Sequence, residues 1–340
     1  MKLQERLALL VKLGAYLKED TTARQLAIAQ TERNNRWLTK ENSLSALLTF
    51  ATEFLNTEYL EAWVKDYPKL EEEKSPKKIG LVLAGNIPGV GFHDVLTTFV
   101  AGHQSMIKYS EKDQYLIPYM IDFMVEEDPR SADYFMAVPR LKDFDAVIAT
   151  GSNNSAMYFE QYFSKYPNVI RKNRNSIAIL DGTETEEDLL GLGIDIFSYF
   201  GLGCRSVAKL YVPQEYDFSP FLGLMDIHYK EMMNHNKYNN NYDYNRSIYL
   251  LNNVPHLAND CLMLLEHESL LSRISSVHYE YYDHAEDLQE KLEAVQEQIQ
   301  CIATKMNLPK RNTVALGQAQ HPALNDYADG VDTLQFLIEL

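Results

Sequence analysis

The chain has 340 residues, of which 46% are hydrophobic and 24% charged, a composition typical of a folded globular protein and not of a disordered one. Its 48 acidic and 32 basic side chains give a net charge of −16, which disfavours nucleic acid as a partner because phosphate backbones are anionic. The apolar stretch 79–100 is interrupted by Gly, Pro, Asn and His, so we expect no membrane span. The first residues lack a signal-peptide pattern, and we therefore expect a cytoplasmic protein.

Residues 1–78 are predicted to form a helical N-terminal region, because apolar residues recur at helical spacing with Asn42 or Ser43 as an N-cap. Residues 69–78 are interpreted as a solvated connector. After it, short apolar runs alternate with amphipathic patterns. The predicted strands are 79–84, 105–109, 146–150, 177–180 and 209–212, and the predicted helices are 92–101, 115–125, 155–164 and 186–199. This alternation predicts a doubly wound parallel α/β sheet.

Beyond Pro213 the pattern is less regular. We expect a helix over 218–233, strands over 262–265 and 276–282, an amphipathic helix over 285–303 and a terminal strand over 333–338. The Asn/Tyr-rich tract 234–245 fits either an exposed loop or a polar helix face.

Two turns follow predicted strands at the place where open α/β sheets bind ligands. Residues 85–91 contain three glycines, although not in the Gly-x-Gly-x-x-Gly spacing of a dinucleotide fingerprint, so a tight turn without a ligand fits equally well. Asn86 adds a side-chain amide that can donate to an oxyanion. The second turn, Thr150-Gly151-Ser152, offers backbone N–H groups and hydroxyls to an anion, or simply caps a helix. Lys108 lies at the end of a predicted strand. It is either a solvated surface lysine or a lysine that projects toward the crevice beside the two turns.

The three cysteines are far apart and form neither a disulfide framework nor a Cys-x-x-Cys metal motif. Cys204 follows two glycines in a connection between a helix and a strand, yet the residues alone favour a structural cysteine. Cys261 and Cys301 lie in apolar runs, which predicts core packing for both. The histidines lack metal-ligand spacing, and serine-hydrolase and P-loop motifs are missing from the sequence.

Taken in order, four segments resemble the aldehyde dehydrogenase superfamily, and within it the acyl-CoA reductase branch that includes the fatty acyl reductase of bacterial bioluminescence. The segments are Gly85-Asn86-Ile87-Pro88-Gly89, Ile107-Lys108-Tyr109-Ser110-Glu111, Thr150-Gly151-Ser152 and Gly201-Leu202-Gly203-Cys204. The resemblance covers about residues 79–215 well and the flanks poorly. It implies two doubly wound α/β domains with a helical N-terminal region: residues 1–78 packing on the cofactor domain, 79–180 binding the dinucleotide, and 181–340 carrying the nucleophile.

The same resemblance implies the site. Cys204 would be the nucleophile, and its backbone N–H would form an oxyanion hole with the amide of Asn86. The residues implied in cofactor binding are Gly85, Pro88, Lys108, Glu111, Thr150, Gly151 and Ser152. The implied substrate is an acyl-CoA or another acyl thioester, and the oligomeric state stays open, a homo-oligomer included.

The cofactor implied by the bioluminescence-type relatives is NADPH. Glu111 favours the alternative, NADH, because a carboxylate there can accept hydrogen bonds from a ribose 2′-hydroxyl and would repel a 2′-phosphate.

One departure from the family bears on the reaction. Aldehyde-oxidising members carry a Glu-Leu-Gly-Gly-Lys segment whose glutamate activates water, and the matching stretch here reads Arg171-Lys172-Asn173-Arg174-Asn175. Without that base an acyl-cysteine survives long enough to be reduced. We therefore predict reduction of an acyl-CoA to an aldehyde. Two alternatives remain: aldehyde oxidation with Glu160 or Glu186 as the base, and a non-catalytic acyl carrier or scaffold.

Overall fold

A computed structural model describes residues 1–72, 75–308, 311 and 313–340. The chain forms two compact units, one of residues 1–173 with 322–340 and one of residues 174–321. These limits differ from the predicted domain boundaries at 78/79 and 180/181, because the strand Asn175–Ile179 pairs within the second unit and the C-terminal residues return to the first. Part of the predicted connector 69–78, residues 73 and 74, lies outside the described residues.

The first unit contains a five-stranded sheet whose strands are all parallel, in the order β3-β2-β1-β4-β5. Its strands are β1 (Lys78–Val82), β2 (Gln104–Lys108), β3 (Phe135–Ala137), β4 (Ala146–Thr150) and β5 (Asn168–Arg171). Its helices are α1 (Leu3–Lys18), α2 (Thr22–Asn34), α3 (Lys40–Thr49), α4 (Thr57–Lys65), α5 (Phe92–Ala101), α6 (Leu116–Glu127) and α7 (Asn153–Phe163), together with α12 (Thr333–Ile338). The strand order confirms the predicted doubly wound α/β fold, with β3 and β5 added to the predicted strands.

The N-terminal helices share one hydrophobic core with this sheet. Leu10, Leu13 and Leu17 of α1 are fully buried in the same cluster as Ile79 of β1 and Phe99 of α5. The spacing of the three leucines puts them on one face of α1, so burial of that face stabilises the helix. Helix α3 begins after Thr39, whose side chain accepts the N–H of Asn42, so the predicted N-cap was three or four residues late.

The second unit contains a seven-stranded sheet in the order β12-β11-β6-β7-β10-β9-β8. Only β8 is antiparallel among these described strands. The strands are β6 (Asn175–Ile179), β7 (Val207–Pro213), β8 (Leu257–Ala258), β9 (Met263–Glu266), β10 (Ser276–Tyr282), β11 (Ile299–Thr304) and β12 (Thr313–Val314). The helices are α8 (Glu186–Phe197), α9 (Ser219–Tyr229), α10 (Asn236–Leu251) and α11 (Ala285–Ala294). None of the helices in the described residues is long and apolar enough to cross a membrane.

Two predictions for the C-terminal half are wrong or incomplete, and for a third segment the helical alternative is confirmed. The expected strand 333–338 is helix α12, which begins where Asp332 accepts the N–H of Gln335. The expected helix 285–303 ends at Ala294, because the residues after 298 pair with β6 and β12 as strand β11. The Asn/Tyr-rich tract lies mostly in helix α10 and is not an exposed loop. Tyr238 and Tyr242 of this helix are buried within the second unit.

His278 on β10 makes the stability of the second unit depend on pH. The side chain is 6% exposed, and burial, with smaller effects of His267 and Lys209, lowers the pKa of His278 to about 4. Because the unfolded chain binds a proton near pH 6.5 and the folded chain does not, stability is complete above that pH and is lost as the pH falls toward 4. We expect the free energy of unfolding to drop by about 2 kcal/mol between pH 7 and pH 5 from this group.

Urea denaturation at several pH values measures this loss. His278→Asn is the matched variant, since an amide can still donate to the carbonyl of Ser269, which His278 Nδ1 contacts at 2.8 Å, but does not titrate. The variant should be less stable at pH 7 and lose less stability on acidification. An unchanged pH slope in the variant would contradict the assignment.

Candidate active site

The 85–91 turn joins the end of β1 to α5 and depends on its glycines. A Cβ at Gly85 would lie 2.5 Å from the hydroxyl of Ser110, so only glycine allows this close approach. Gly89 has φ +65°, and a Cβ there would lie 2.8 Å from the ring of Phe50. Asn86 is half-buried between these two glycines. The backbone of the predicted turn is therefore closely fixed by its surroundings.

Asp113 also holds this turn, although no motif in the sequence predicts it. Its Oδ2 accepts the N–H of Gly89 at 2.6 Å, its side chain is buried, and burial raises its pKa. The signal in the sequence is slight: an aspartate shortly before the predicted helix 115–125, where a helix cap is the ordinary expectation.

The strand register brings the predicted cofactor residues of the first unit to one edge of its sheet. Val82 of β1 is level with Lys108 of β2 on one side and with Ala149 of β4 on the other. The strand order reverses between β1 and β4, which is the switch point where open parallel sheets bind ligands. The 85–91 turn, Lys108 and Thr150 thus leave the sheet from neighbouring carboxyl ends. Lys108 is exposed there.

The Thr150-Gly151-Ser152 turn leads directly into α7. Ser152 is the N-cap of this helix and accepts the N–H of Ser155. A Cβ at Gly151 would lie 2.8 Å from Ser155, so the backbone approaches the helix closely. Glu111, the other predicted cofactor residue, is exposed on the loop after β2.

Arg171 begins the stretch that, by the resemblance, corresponds to the base-carrying segment of oxidising members, and its side chain binds groups within the first unit. Its guanidinium donates to both carboxylate oxygens of Asp94 at 2.7 Å, and to the hydroxyl of Thr333 at 2.9 Å. Arg171 and Asp94 are both buried. The side chain of Arg171 is therefore a structural cation inside the first unit, and it cannot activate water.

The two glutamates considered as alternative bases are exposed. Glu160 on α7 forms a surface ion pair with Lys172 at 2.9 Å, and Glu186 lies in the first turn of α8. Both carboxylates are exposed to solvent, so neither has the buried surroundings that tune a general base.

Cys204 lies in the second unit, in the connection between α8 and β7, shortly after a strained segment of the backbone. Tyr199 and Phe200 have φ of 53° and 59°, and Gly201 follows with φ 72°, so three consecutive residues are left-handed. Each of the two non-glycine residues costs on the order of 1 to 3 kcal/mol in this conformation, and such strain persists only where the surroundings impose it. The carbonyl of Cys204 accepts the hydroxyl of Ser176 at 3.0 Å.

The other two cysteines are packed in the core, as predicted. Cys261 is fully buried and burial raises the pKa of its thiol to about 12, which disfavours a reactive thiolate. Cys301 is 5% exposed, and its sulfur accepts from Arg205 at 3.9 Å. Cys204 is half-buried and is the most accessible of the three thiols.

The fold is similar to that of aldehyde dehydrogenases. Aldehyde dehydrogenase 21 of Physcomitrella patens, solved with the reaction product succinate, matches with a TM-score of 0.71 and 14% identity over 100% of this chain and 84% of that chain. An aldehyde dehydrogenase from Bacillus cereus in its NAD+ complex gives a TM-score of 0.63 and 14% identity over 91% of this chain and 73% of that one. At such identities the likeness shows the fold alone. No curated protein sequence matches the chain.

The family model described as acyl-CoA reductase (LuxC) matches residues 10–220, more than half of the chain. The chain belongs to the acyl-CoA reductase (LuxC) family. This confirms the family and the fold class predicted from the four motifs, and with them an oxidoreductase that forms an aldehyde from an acyl-CoA. The match spans both glycine turns and Cys204, so all residues predicted for the acyl-CoA reductase site lie within it.

The contact between Gly89 and Phe50 can be isolated by a matched pair of substitutions. Gly89 and Gly330 have the same φ of +65°, but a Cβ at Gly330 meets nothing within 4 Å. Gly330→Ala should therefore lower the free energy of unfolding by about 1 to 2 kcal/mol, because alanine is strained in the left-handed conformation. Gly89→Ala should lower it by a further ~1 to 3 kcal/mol, because its Cβ also meets the ring of Phe50.

Urea denaturation of the two variants measures the difference. Phe50→Leu combined with Gly89→Ala should recover most of the extra loss, because the shorter side chain can move away. Equal destabilisation by Gly89→Ala and Gly330→Ala would show that the ring does not confine the turn.

Proposed function

We propose that Cys204 is the nucleophile with which this acyl-CoA reductase takes the acyl group from its substrate. The observation that carries the proposal is the contrast among the three thiols: Cys204 is half-buried and follows the strained residues 199–201, whereas Cys261 and Cys301 are core residues. Strained backbone of this kind clusters at functional sites. The family match supplies the reaction class.

The proposed reaction has two steps. The Cys204 thiolate attacks the thioester carbonyl, an S–C bond forms to the enzyme, and the bond to coenzyme A breaks, so that CoA leaves as a thiolate and takes up a proton. When bound, the reduced nicotinamide supplies the hydride that reduces the acyl-cysteine. The resulting oxyanion collapses, the bond to Cys204 breaks, and the aldehyde is released.

We assign the oxyanion to two donors, the side-chain amide of Asn86 and the backbone N–H of Cys204. Donors of this type lower the barrier when they are fixed before the reaction begins. The close packing of the 85–91 turn around Gly85 and Gly89 supports such a fixed position for Asn86.

The cofactor residues are proposed at the switch point of the first unit. The N-terminus of α7 with Gly151 and Ser152 suits a phosphate group, since its backbone N–H groups point outward and the glycine lets the backbone approach. Thr150, Gly85 and Pro88 line the neighbouring turns, and exposed Lys108 would hold the adenosine ribose. NADPH is the proposed cofactor. Glu111 is the residue that argues for NADH.

The fate of the acyl-cysteine follows from the missing base. The side chain of Arg171 is a guanidinium paired with Asp94, and the carboxylate of Glu160 is exposed and paired with Lys172, so we assign no water-activating base to either position. An acyl-cysteine beside a reduced nicotinamide is then more readily reduced than hydrolysed.

Cys204→Ser tests the nucleophile. Serine keeps the shape of the side chain but stays protonated near neutral pH, so the variant should fold and bind cofactor while aldehyde formation falls by several orders of magnitude. Mass spectrometry after incubation with an acyl-CoA alone should find the acyl adduct on Cys204 of the wild-type chain and no adduct in the variant.

Cys261→Ser and Cys301→Ser are the matched controls. They should retain aldehyde formation and lose stability, by about 1 to 3 kcal/mol, because a buried hydroxyl replaces a thiol. An adduct on Cys261 or Cys301 with Cys204 unmodified would refute the assignment.

Lys108→Ala tests the cofactor site. The lysine would contact the ribose equally in the ground and transition states, so its loss should raise the KM for the cofactor about tenfold with little change in kcat. Lys112→Ala, which removes an exposed lysine four residues away, is the control and should change neither constant. The same titrations with NADPH and NADH identify the cofactor. A collapse of kcat at saturating cofactor would instead place Lys108 in the reaction.

A further inference from the structure

The turn that carries Cys204 is held in part by a segment far away in sequence. The guanidinium of Arg205 donates through Nε to the carbonyl of Ala319 at 2.5 Å. The amide of Gln320 donates to the hydroxyl of Ser206 at 3.4 Å, and that hydroxyl donates to the carbonyl of Ser198 at 3.4 Å. Ser198 and Ser206 flank the left-handed residues 199–201. The segment 317–320 therefore connects the two ends of the strained turn.

A buried carboxylate fixes this segment. Asp195 on α8 has no exposed surface, and its two oxygens accept the N–H groups of Gly317 at 2.7 Å and Ala319 at 2.9 Å. One helical turn earlier, Gly191 touches the same segment: a Cβ at Gly317 would lie 2.9 Å from the Cα of Gly191. Helix α8 thus holds the segment with one face and continues directly into the turn of Cys204.

We propose that Asp195 is a positioning residue for the Cys204 thiol, acting through the segment 317–320 and through Arg205 and Ser206. The inference rests on the proposed role of Cys204 as nucleophile. Asp195 itself touches neither substrate nor cofactor in this proposal. Its function is to keep the left-handed turn in the one conformation that presents the thiol.

The charge state of Asp195 agrees with this function. Burial raises the pKa of Asp195 to about 6, while the N–H groups of Gly317 and Ala319 and the charge of Arg205 favour the ionised form. Two titratable groups interact electrostatically with Asp195. The charge of Arg205 on the turn lowers the pKa of Asp195, and the charge of Asp195 raises the pKa of Tyr229 on α9. At neutral pH the carboxylate is therefore ionised, and both of its oxygens are acceptors.

Asp195→Asn is the decisive variant. An amide has one oxygen, so its nitrogen would face an N–H group and one of the two bonds to the segment is lost. The first readout is the rate at which iodoacetamide alkylates Cys204 in the intact chain, measured by peptide mass spectrometry. The second readout is the rate at which an acyl-CoA acylates Cys204 in the absence of cofactor. We expect Asp195→Asn to lower alkylation at least threefold and acylation at least tenfold.

Fully buried Cys261 is the internal reference, because its alkylation reports unfolding in the same sample. Tyr282→Phe is the matched control: it removes a buried hydrogen bond, from the Tyr282 hydroxyl to the carbonyl of Leu180 at 2.8 Å, elsewhere in the second unit. The control should leave both rates within twofold of wild type. Wild-type rates in folded Asp195→Asn, or an equal loss in Tyr282→Phe, would overturn the proposal.

Two further outcomes are distinguishable. If wild-type Cys204 is not acylated at all, the proposed function fails, and the alkylation rates still decide the role of Asp195. If Cys261 of Asp195→Asn becomes reactive, the variant is unfolded, and Gln320→Ala decides instead. Gln320 is half-buried and bonds Ser206 directly, so its loss should lower alkylation of Cys204 about twofold, and an unchanged rate would overturn the proposal.

Discussion

The buried ion pair between Asp94 and Arg171 is the interaction on which the geometry of the first unit depends. Asp94 lies in the first turn of α5, directly after the 85–91 turn, and Arg171 is the last residue of β5. The carbonyl of Arg171 accepts the N–H of Gly151, and its guanidinium reaches Thr333 on α12. Loss of one member of such a pair leaves an uncompensated buried charge, typically at a cost of about 3 to 5 kcal/mol. One interaction thus connects both glycine turns and the C-terminal helix.

The same pair bears on the chemistry. In the oxidising relatives that the sequence resembles, the stretch at residues 171–175 carries the carboxylate that activates water, and here its first side chain is a guanidinium already bound to Asp94. A guanidinium paired with Asp94 does not activate water, and its charge is already balanced within the first unit. The fold is similar to that of aldehyde dehydrogenases, and the residues of this stretch are those that the proposed reduction requires.

The sequence predicted most of the sheet and helix pattern of residues 79–213, because alternating apolar runs and amphipathic helices specify a parallel sheet with little ambiguity. The prediction failed where a short apolar run has no clear periodicity: residues 333–338 were predicted as a strand and form helix α12, which Asp332 caps. Motif order predicted site roles for Asn86, Lys108 and Cys204, and these remain predictions. Asp113 and Asp195 were not predicted, because their hydrogen bonds are to residues distant in sequence. For Asp195 a signal existed, since a carboxylate within the apolar run of α8 must find donors when it is buried.

The 85–91 turn and the segment 317–320 share a physical solution. Each contains glycine and offers few large side chains for burial, so hydrophobic packing contributes little to fixing its backbone. In both units a buried aspartate accepts the N–H of a left-handed glycine, Gly89 at 2.6 Å from Asp113 and Gly317 at 2.7 Å from Asp195. Hydrogen bonds to an ionised acceptor are short and about twice as strong as neutral ones, and they are directional. Burial raises the pKa of both carboxyls, so part of the stability of each unit is given up to hold a glycine backbone in place. A cost of this kind is expected where the position of a backbone matters more than its stability, which is the requirement of the roles proposed for Asn86 and Cys204.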